Sequence, residues 1–166
     1  KETAEILRDA SELHEGLRNY GSVQDIDKPL IVSGILLALR EQEAKNFSIS
    51  DLTGDNIKTD GQKIYDAIVS SLQRANVSPE TKKDKLLSQF SIIKNTMILN
   101  EIHPNLSKTP LKHYTEFLNN NIYKSIRYNK SSEDYLGRFY GEFMSYSGGD
   151  GQTLGIVLTP KHITDL

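Results

Sequence analysis

Asp51, Thr53 and Asp55 alternate along the stretch "DLTGDNIKTDGQ" as oxygen ligands alternate in a calcium loop. The pattern fails at two positions that such a loop needs. The sixth is Asn56, where glycine makes the sharp turn, and the twelfth is Gln62, where a bidentate glutamate closes the coordination shell. The stretch therefore reads as a solvated connection between helices. The four histidines, His14, His103, His113 and His162, lack the close pairing of a zinc helix, and the chain has no cysteine to complete a thiolate site. They read as surface or capping residues, and no metal is expected. Gly149, Gly151 and Gly155 form "GDGQTLG", one residue away from a dinucleotide fingerprint. The pattern before them is an amphipathic helix, however, not the strand that fingerprint requires. No Gly-x-Ser-x-Gly elbow occurs, and Glu133 and Asp134 sit where acidic residues favour a helix start. No catalytic dyad is expected in the chain.

Charge offers a different chemistry. The formal net charge of −2 excludes a uniformly basic nucleic-acid binder, so any contact with an anionic partner must be local. Between positions 108 and 138 six basic residues, Lys108, Lys112, Lys124, Arg127, Lys130 and Arg138, stand against Glu116, Glu133 and Asp134, with Tyr123 and Tyr128 among them. Lys112, Lys124, Arg127, Lys130 and Arg138 are the candidate contacts to a DNA backbone. A solvated helix face would carry the same charges.

The elements that must position these residues are helical. Ile6, Ala10, Leu13, Leu17 and Tyr20 recur at helical spacing, and the first helix should end near Gly21. In "DIDKPLIVSGILLALREQEAK" Asp27 is the expected N-cap and Pro29 falls in the first turn, where its missing N–H is no loss. The middle of this segment is apolar nearly all round, which places it at the centre of the domain, with Gly34 admitting a close neighbour. Its apolar run, Leu30 to Leu39, is about half of what a bilayer crossing needs, so no membrane span is expected. Ile64, Tyr65, Ile68, Val69 and Leu72 mark a third helix. Ser78 as N-cap and Pro79 at the first position predict a fourth helix of about twenty residues, with Leu86, Phe90, Ile93 and Met97 on one face. Thr109 and Pro110 open a fifth, carrying Tyr114, Phe117, Leu118, Ile122 and Ile126, and Leu136, Phe139, Tyr140 and Phe143 line a sixth. The fold class is all-α. At 166 residues the length suits one domain with a real core, and the absence of cysteine agrees with a reducing cytoplasm.

The ending "DYLGRFYGEFMSYSGGDGQTLGIVLTPKHITDL" departs from that pattern and resembles the entry to the catalytic domain of N6-adenine DNA methyltransferases. The likeness is to the modification subunits of type I restriction systems and to related fused restriction–modification enzymes. The matching residues are Tyr135, Leu136, Gly137 and Tyr140 in a helix, then Gly155, Thr159, Pro160, Ile163 and Leu166. Leu158 stands where many members carry Phe, and "DKPLIVSGILLAL" upstream is similar to a helix of the same family's N-terminal domain.

The resemblance implies a helical N-terminal domain over residues 1–147. Residues 148–166 would then be a linker and the first strand and helix start of a Rossmann-like methyltransferase domain. It further implies that Ile156, Val157, Leu158, Thr159, Pro160 and Lys161 help to hold the methionine portion of S-adenosylmethionine in the intact enzyme. Thr159 would cap the following helix there. The family's glycine-rich cofactor loop and its Asn-Pro-Pro-aromatic motif, which receives a flipped adenine, do not occur in these residues. This chain alone is accordingly expected to be a catalytically inactive piece that clamps DNA or contacts a specificity subunit or specificity domain. A stand-alone helical module that binds another protein through its tyrosines is the competing expectation.

Overall fold

The computed structural model describes residues 3–124, and within them the chain is all-helical. Helix α1 spans Thr3–Gly21, α2 Lys28–Arg40, α3 Asp60–Arg74, α4 Glu80–Phe90, α5 Ile92–Asn95, α6 Met97–Asn100 and α7 Pro110–Leu118. A π-helical segment, Asn119–Tyr123, continues α7, and a 3-10 turn, Ile49–Asp51, interrupts the long α2–α3 connection. No strand occurs among the described residues; an isolated bridge pairs His103 with Lys108. The expected sixth helix, the domain boundary at 147–148 and the segment 148–166 lie outside the described residues.

Helix α2 is the centre, as its all-round apolar pattern predicts. Every residue from Ile31 to Arg40 is buried, and α3, α4, α5, α7 and the π segment all pack on it. Each Leu or Ile so enclosed contributes roughly 1.5–3 kcal/mol relative to exposure. Gly34 is the point of closest approach: a Cβ there would lie 2.6 Å from Ile93 Cδ1 and 2.9 Å from Ile68 Cδ1. The polar ends of α2 are buried too. Glu41, just past its end, receives two hydrogen bonds from Arg74 at 3.1 Å each, which ties the ends of α2 and α3 together. At the other end Asp27 occupies the N-cap position but makes no side-chain cap bond. Helix α2 also stops at Arg40, so "EQEAK" forms turns, with Lys45 in the left-handed region at φ 61°.

Several ends follow local chemistry closely. Thr59 accepts from the Gln62 amide and opens α3, and Thr109 accepts from the Lys112 amide with Pro110 next to it at the start of α7. Helix α3 closes with Asn76 at φ 54°. The Asn76 and Val77 amides return to the carbonyls of Gln73 and Leu72, and half-buried Val77 packs on the core. The last residue of α1 is glycine for a spatial reason, because a Cβ there would meet Leu99 and the Tyr114 hydroxyl within 2.8 Å. The left-handed residue at that end is Ser22, at φ 51°.

The expected helix of about twenty residues after Pro79 is instead three segments. Pro79, not Ser78, is its N-cap, and the chain bends at Ser91 and breaks at Thr96, whose backbone is extended (φ −91°, ψ 107°). The break stands because Asn100 satisfies the carbonyls it frees: Nδ2 donates to Ile93 O at 3.0 Å and to Thr96 O at 2.9 Å. One consequence is a change of face. Leu99 takes the buried position, whereas Met97, expected in the core, is 73 % exposed.

Candidate functional site

The expected DNA-contacting residues divide at the edge of the described chain. Lys112 lies in the first turn of α7 and is half-buried, and Lys124 follows the π segment and is exposed. Arg127, Lys130 and Arg138 lie outside the described residues, as do the expected cofactor residues Ile156, Val157, Leu158, Thr159, Pro160 and Lys161. Lys108, counted in the local basic excess, is paired: its ammonium sits 2.7 Å from Glu116 Oε1. Of the expected contacts, two thus fall among the described residues, on α7 and just beyond it.

What holds α7 in place is a buried polar network that the sequence pattern did not disclose. Asp60, fully buried at the start of α3, accepts the Thr109 hydroxyl at 2.6 Å and the Gly54 amide at 3.0 Å. The next residue, Gly61, donates its amide to Asn100 Oδ1 at 2.6 Å. Three sequence-distant pieces, the 54–61 loop, the α6 end and the α7 start, are fastened at this point. In the stretch 51–62 these carboxylates have structural roles: Asp55 caps the Ile57 amide and Asp60 closes the loop. Among the described residues no three His, Asp or Glu side chains converge to hold a metal ion. Asp60 and Thr109 resemble a base and a nucleophile only in type, since both are enclosed and engaged with each other and with backbone amides. The one sequence signal was Thr-Asp-Gly before an amphipathic run, which marks a helix start but not a buried carboxylate.

A second cluster joins α1 to the α2 start. Lys28 is fully buried, 2.7 Å from Asp25 and 3.3 Å from both ring nitrogens of His14. An ammonium equidistant from both nitrogens is on the axis of neither lone pair, so Asp25 is its main acceptor. Arg18, a pure donor, lies 3.0 Å from His14 Nε2, which must therefore be unprotonated. Burial, then the neighbouring Lys28 charge, pushes the His14 pKa below its ordinary value. Hydrogen bonding to Lys28 and its charge hold the Asp25 carboxyl below the usual range. His14 was expected as a surface or capping residue and is instead buried, on the α1 face that carries Ala10 and Leu17 and beside Lys28 at the start of α2.

The third feature is a cleft of about 210 Å³ between α1 and α7, lined by Glu12, Glu15, Tyr20, His113, Tyr114 and Phe117. Tyr20 stands edge-on to His103 and His113, with ring centroids 5.4 and 5.3 Å away, and Tyr114 donates to Gly16 O at 2.8 Å. Burial, then Lys108, lowers the His113 pKa, and burial raises that of Tyr114. His103 Nδ1 accepts from the Asn105 amide, a capping role of the kind expected for it.

The chain, whose ending resembles the entry to a methyltransferase domain, is similar along its whole length to part of a restriction enzyme and methyltransferase. Over 168 residues the chain is 43 % identical to the type II restriction enzyme and methyltransferase RM.BcgI of Heyndrickxia coagulans, and the match takes in all of this chain. The chain spans 26 % of that relative's length. No family model matches the chain, and no solved structure matches it. No helix among the described residues is long and apolar enough to cross a membrane.

Proposed function

We propose that this chain is the helical N-terminal domain of an adenine-specific DNA methyltransferase in a restriction–modification system. The observation that carries the reading is the 43 % identity, along the whole chain, to a restriction enzyme and methyltransferase. The methyltransferase-like ending, Gly155, Thr159, Pro160, Ile163 and Leu166, agrees with it. In the intact enzyme the reaction is methyl transfer from S-adenosylmethionine to adenine N6 after base flipping. Residues 156–161 supply one edge of the cofactor pocket, and this chain alone does not methylate DNA. Its own part is to clamp DNA, or to meet a specificity subunit or specificity domain, in the cytoplasm. Lys112, Lys124, Arg127, Lys130 and Arg138 act as phosphate contacts; of these, Lys112 in the first turn of α7 and exposed Lys124 just past the π segment fall among the described residues.

The test is methylation by the product of the complete gene, read as N6-methyladenine in a DNA substrate. Formation of that base is expected. Methylation confined to cytosine, or none at all from a folded product, overturns the adenine assignment.

A further inference from the structure

The cleft between α1 and α7 has a chemistry that DNA clamping does not use. Glu12 and Glu15 are exposed at its α1 lip, and neither has a hydrogen-bond or ion-pair partner among the described residues. Behind them the wall is aromatic: Tyr20, His113, Tyr114 and Phe117. Lys108, whose charge reaches His113, is engaged by Glu116. Two exposed carboxylates repel a phosphate and attract a cation. At about 210 Å³ the cleft is smaller than the roughly 300–1,000 Å³ of small-molecule sites, a size for one long side chain and not for a nucleotide.

We propose that this cleft receives a single arginine side chain presented by another polypeptide segment. A guanidinium fits better than an ammonium because it is planar. It stacks on aromatic rings and presents a fork of donors to carboxylates, whereas an ammonium is a compact, strongly hydrated point charge. The wall is already fixed, by the Tyr114 bond to Gly16 O and by the edge contacts of Tyr20, so the site needs little ordering on binding. The inference is independent of the methyltransferase reading, since it concerns a protein contact and its test contains no DNA.

The test titrates the 166-residue chain with N-acetyl-arginine methylamide, followed by amide NMR shifts, with the citrulline analogue as a neutral control of the same shape. Saturable shifts centred on Gly16, Asn19 and Phe117 are expected, with citrulline at least about tenfold weaker. Replacing both carboxylates, Glu12→Gln with Glu15→Gln, should weaken arginine binding by a similar factor. The unfolding midpoint should not move, because both side chains are exposed. Absence of saturable shifts, equal binding of citrulline, or shifts centred elsewhere overturns the proposal. Binding that appears only after Arg127→Ala and Arg138→Ala also overturns it, since the chain's own arginines would then be the occupants.

Discussion

The carboxylate of Asp60 accepts the hydroxyl hydrogen of Thr109 at 2.6 Å, across 49 positions of sequence. The same Thr109 oxygen accepts the Lys112 amide, so one hydroxyl both starts α7 and fastens it to α3. Thr109→Val keeps the shape and removes both bonds. It should cost about 2–4 kcal/mol, more than an ordinary cap, because Asp60 is left buried with one acceptor unserved. Urea unfolding of the variant beside Thr109→Ser, which keeps the hydroxyl and should lose less than about half as much, measures this.

Gly16 and Gly61 make opposite demands. A Cβ at Gly16 would meet nothing closer than 3.8 Å, whereas at Gly61 it would run into the Ile93 carbonyl and lie 2.8 Å from Lys94 Cα. Gly16→Ala should therefore stabilise the chain by about 0.5–1 kcal/mol through helix propensity. Gly61→Ala should cost about 2 kcal/mol or more, because backbone must move and the amide bond to Asn100 with it. Thermal unfolding of the two variants should shift in opposite directions.

The break at Thr96 yields a contrast between neighbours. Met97→Ala, at an exposed site, should change stability by less than about 0.5 kcal/mol. Leu99→Ala, at a position 1 % exposed, should cost about 2–5 kcal/mol. A continuous helix with Met97 in the core would produce the reverse, and denaturant titration separates the two.

Acid should weaken the fold by a route through His14 and His113. Both have pKa values held below the ordinary 6.5, first by burial and then by a lysine, Lys28 for one and Lys108 for the other. A histidine whose folded pKa is lowered takes up its proton more readily when unfolded. Its contribution to stability is therefore intact above pH 6.5 and declines as pH falls below that value. The Asp25 contribution has its own window, lost only as pH falls through a carboxyl pKa that Lys28 holds below 3.8. Urea midpoints at about pH 7.5 and 5.5 should differ in wild type and differ less in His113→Gln.

If α7 and the residues after it contact DNA as proposed, Lys112→Glu and Lys124→Glu should each weaken binding of duplex DNA irrespective of sequence. Each should reduce the slope of log affinity against log salt by about one. Fluorescence anisotropy at several salt concentrations reads both effects. Lys108→Gln should alter the slope less, since Glu116 already engages that charge.

Periodicity determined the helical class, the stripe Ile6, Ala10, Leu13 and Leu17 and the central place of α2, and the Thr-Pro pair marked the start at Thr109, because each depends on contacts within a few residues. Close packing at Gly34 was legible for the same reason: a glycine inside an apolar helix has few other uses. The tertiary structure decided the rest. Whether Met97 or Leu99 faces inward depends on Asn100 serving carbonyls that only a broken helix frees, and a helical wheel assumes no break. The burial of Asp60, Lys28 and His14 depends on partners that come from other helices or loops, so no local pattern marks them. The α1–α7 cleft is likewise a product of assembly, since Glu12 and His113 meet only when two distant helices pack. Local sequence sets which elements form; long-range packing sets which polar groups they enclose and which they leave free to bind.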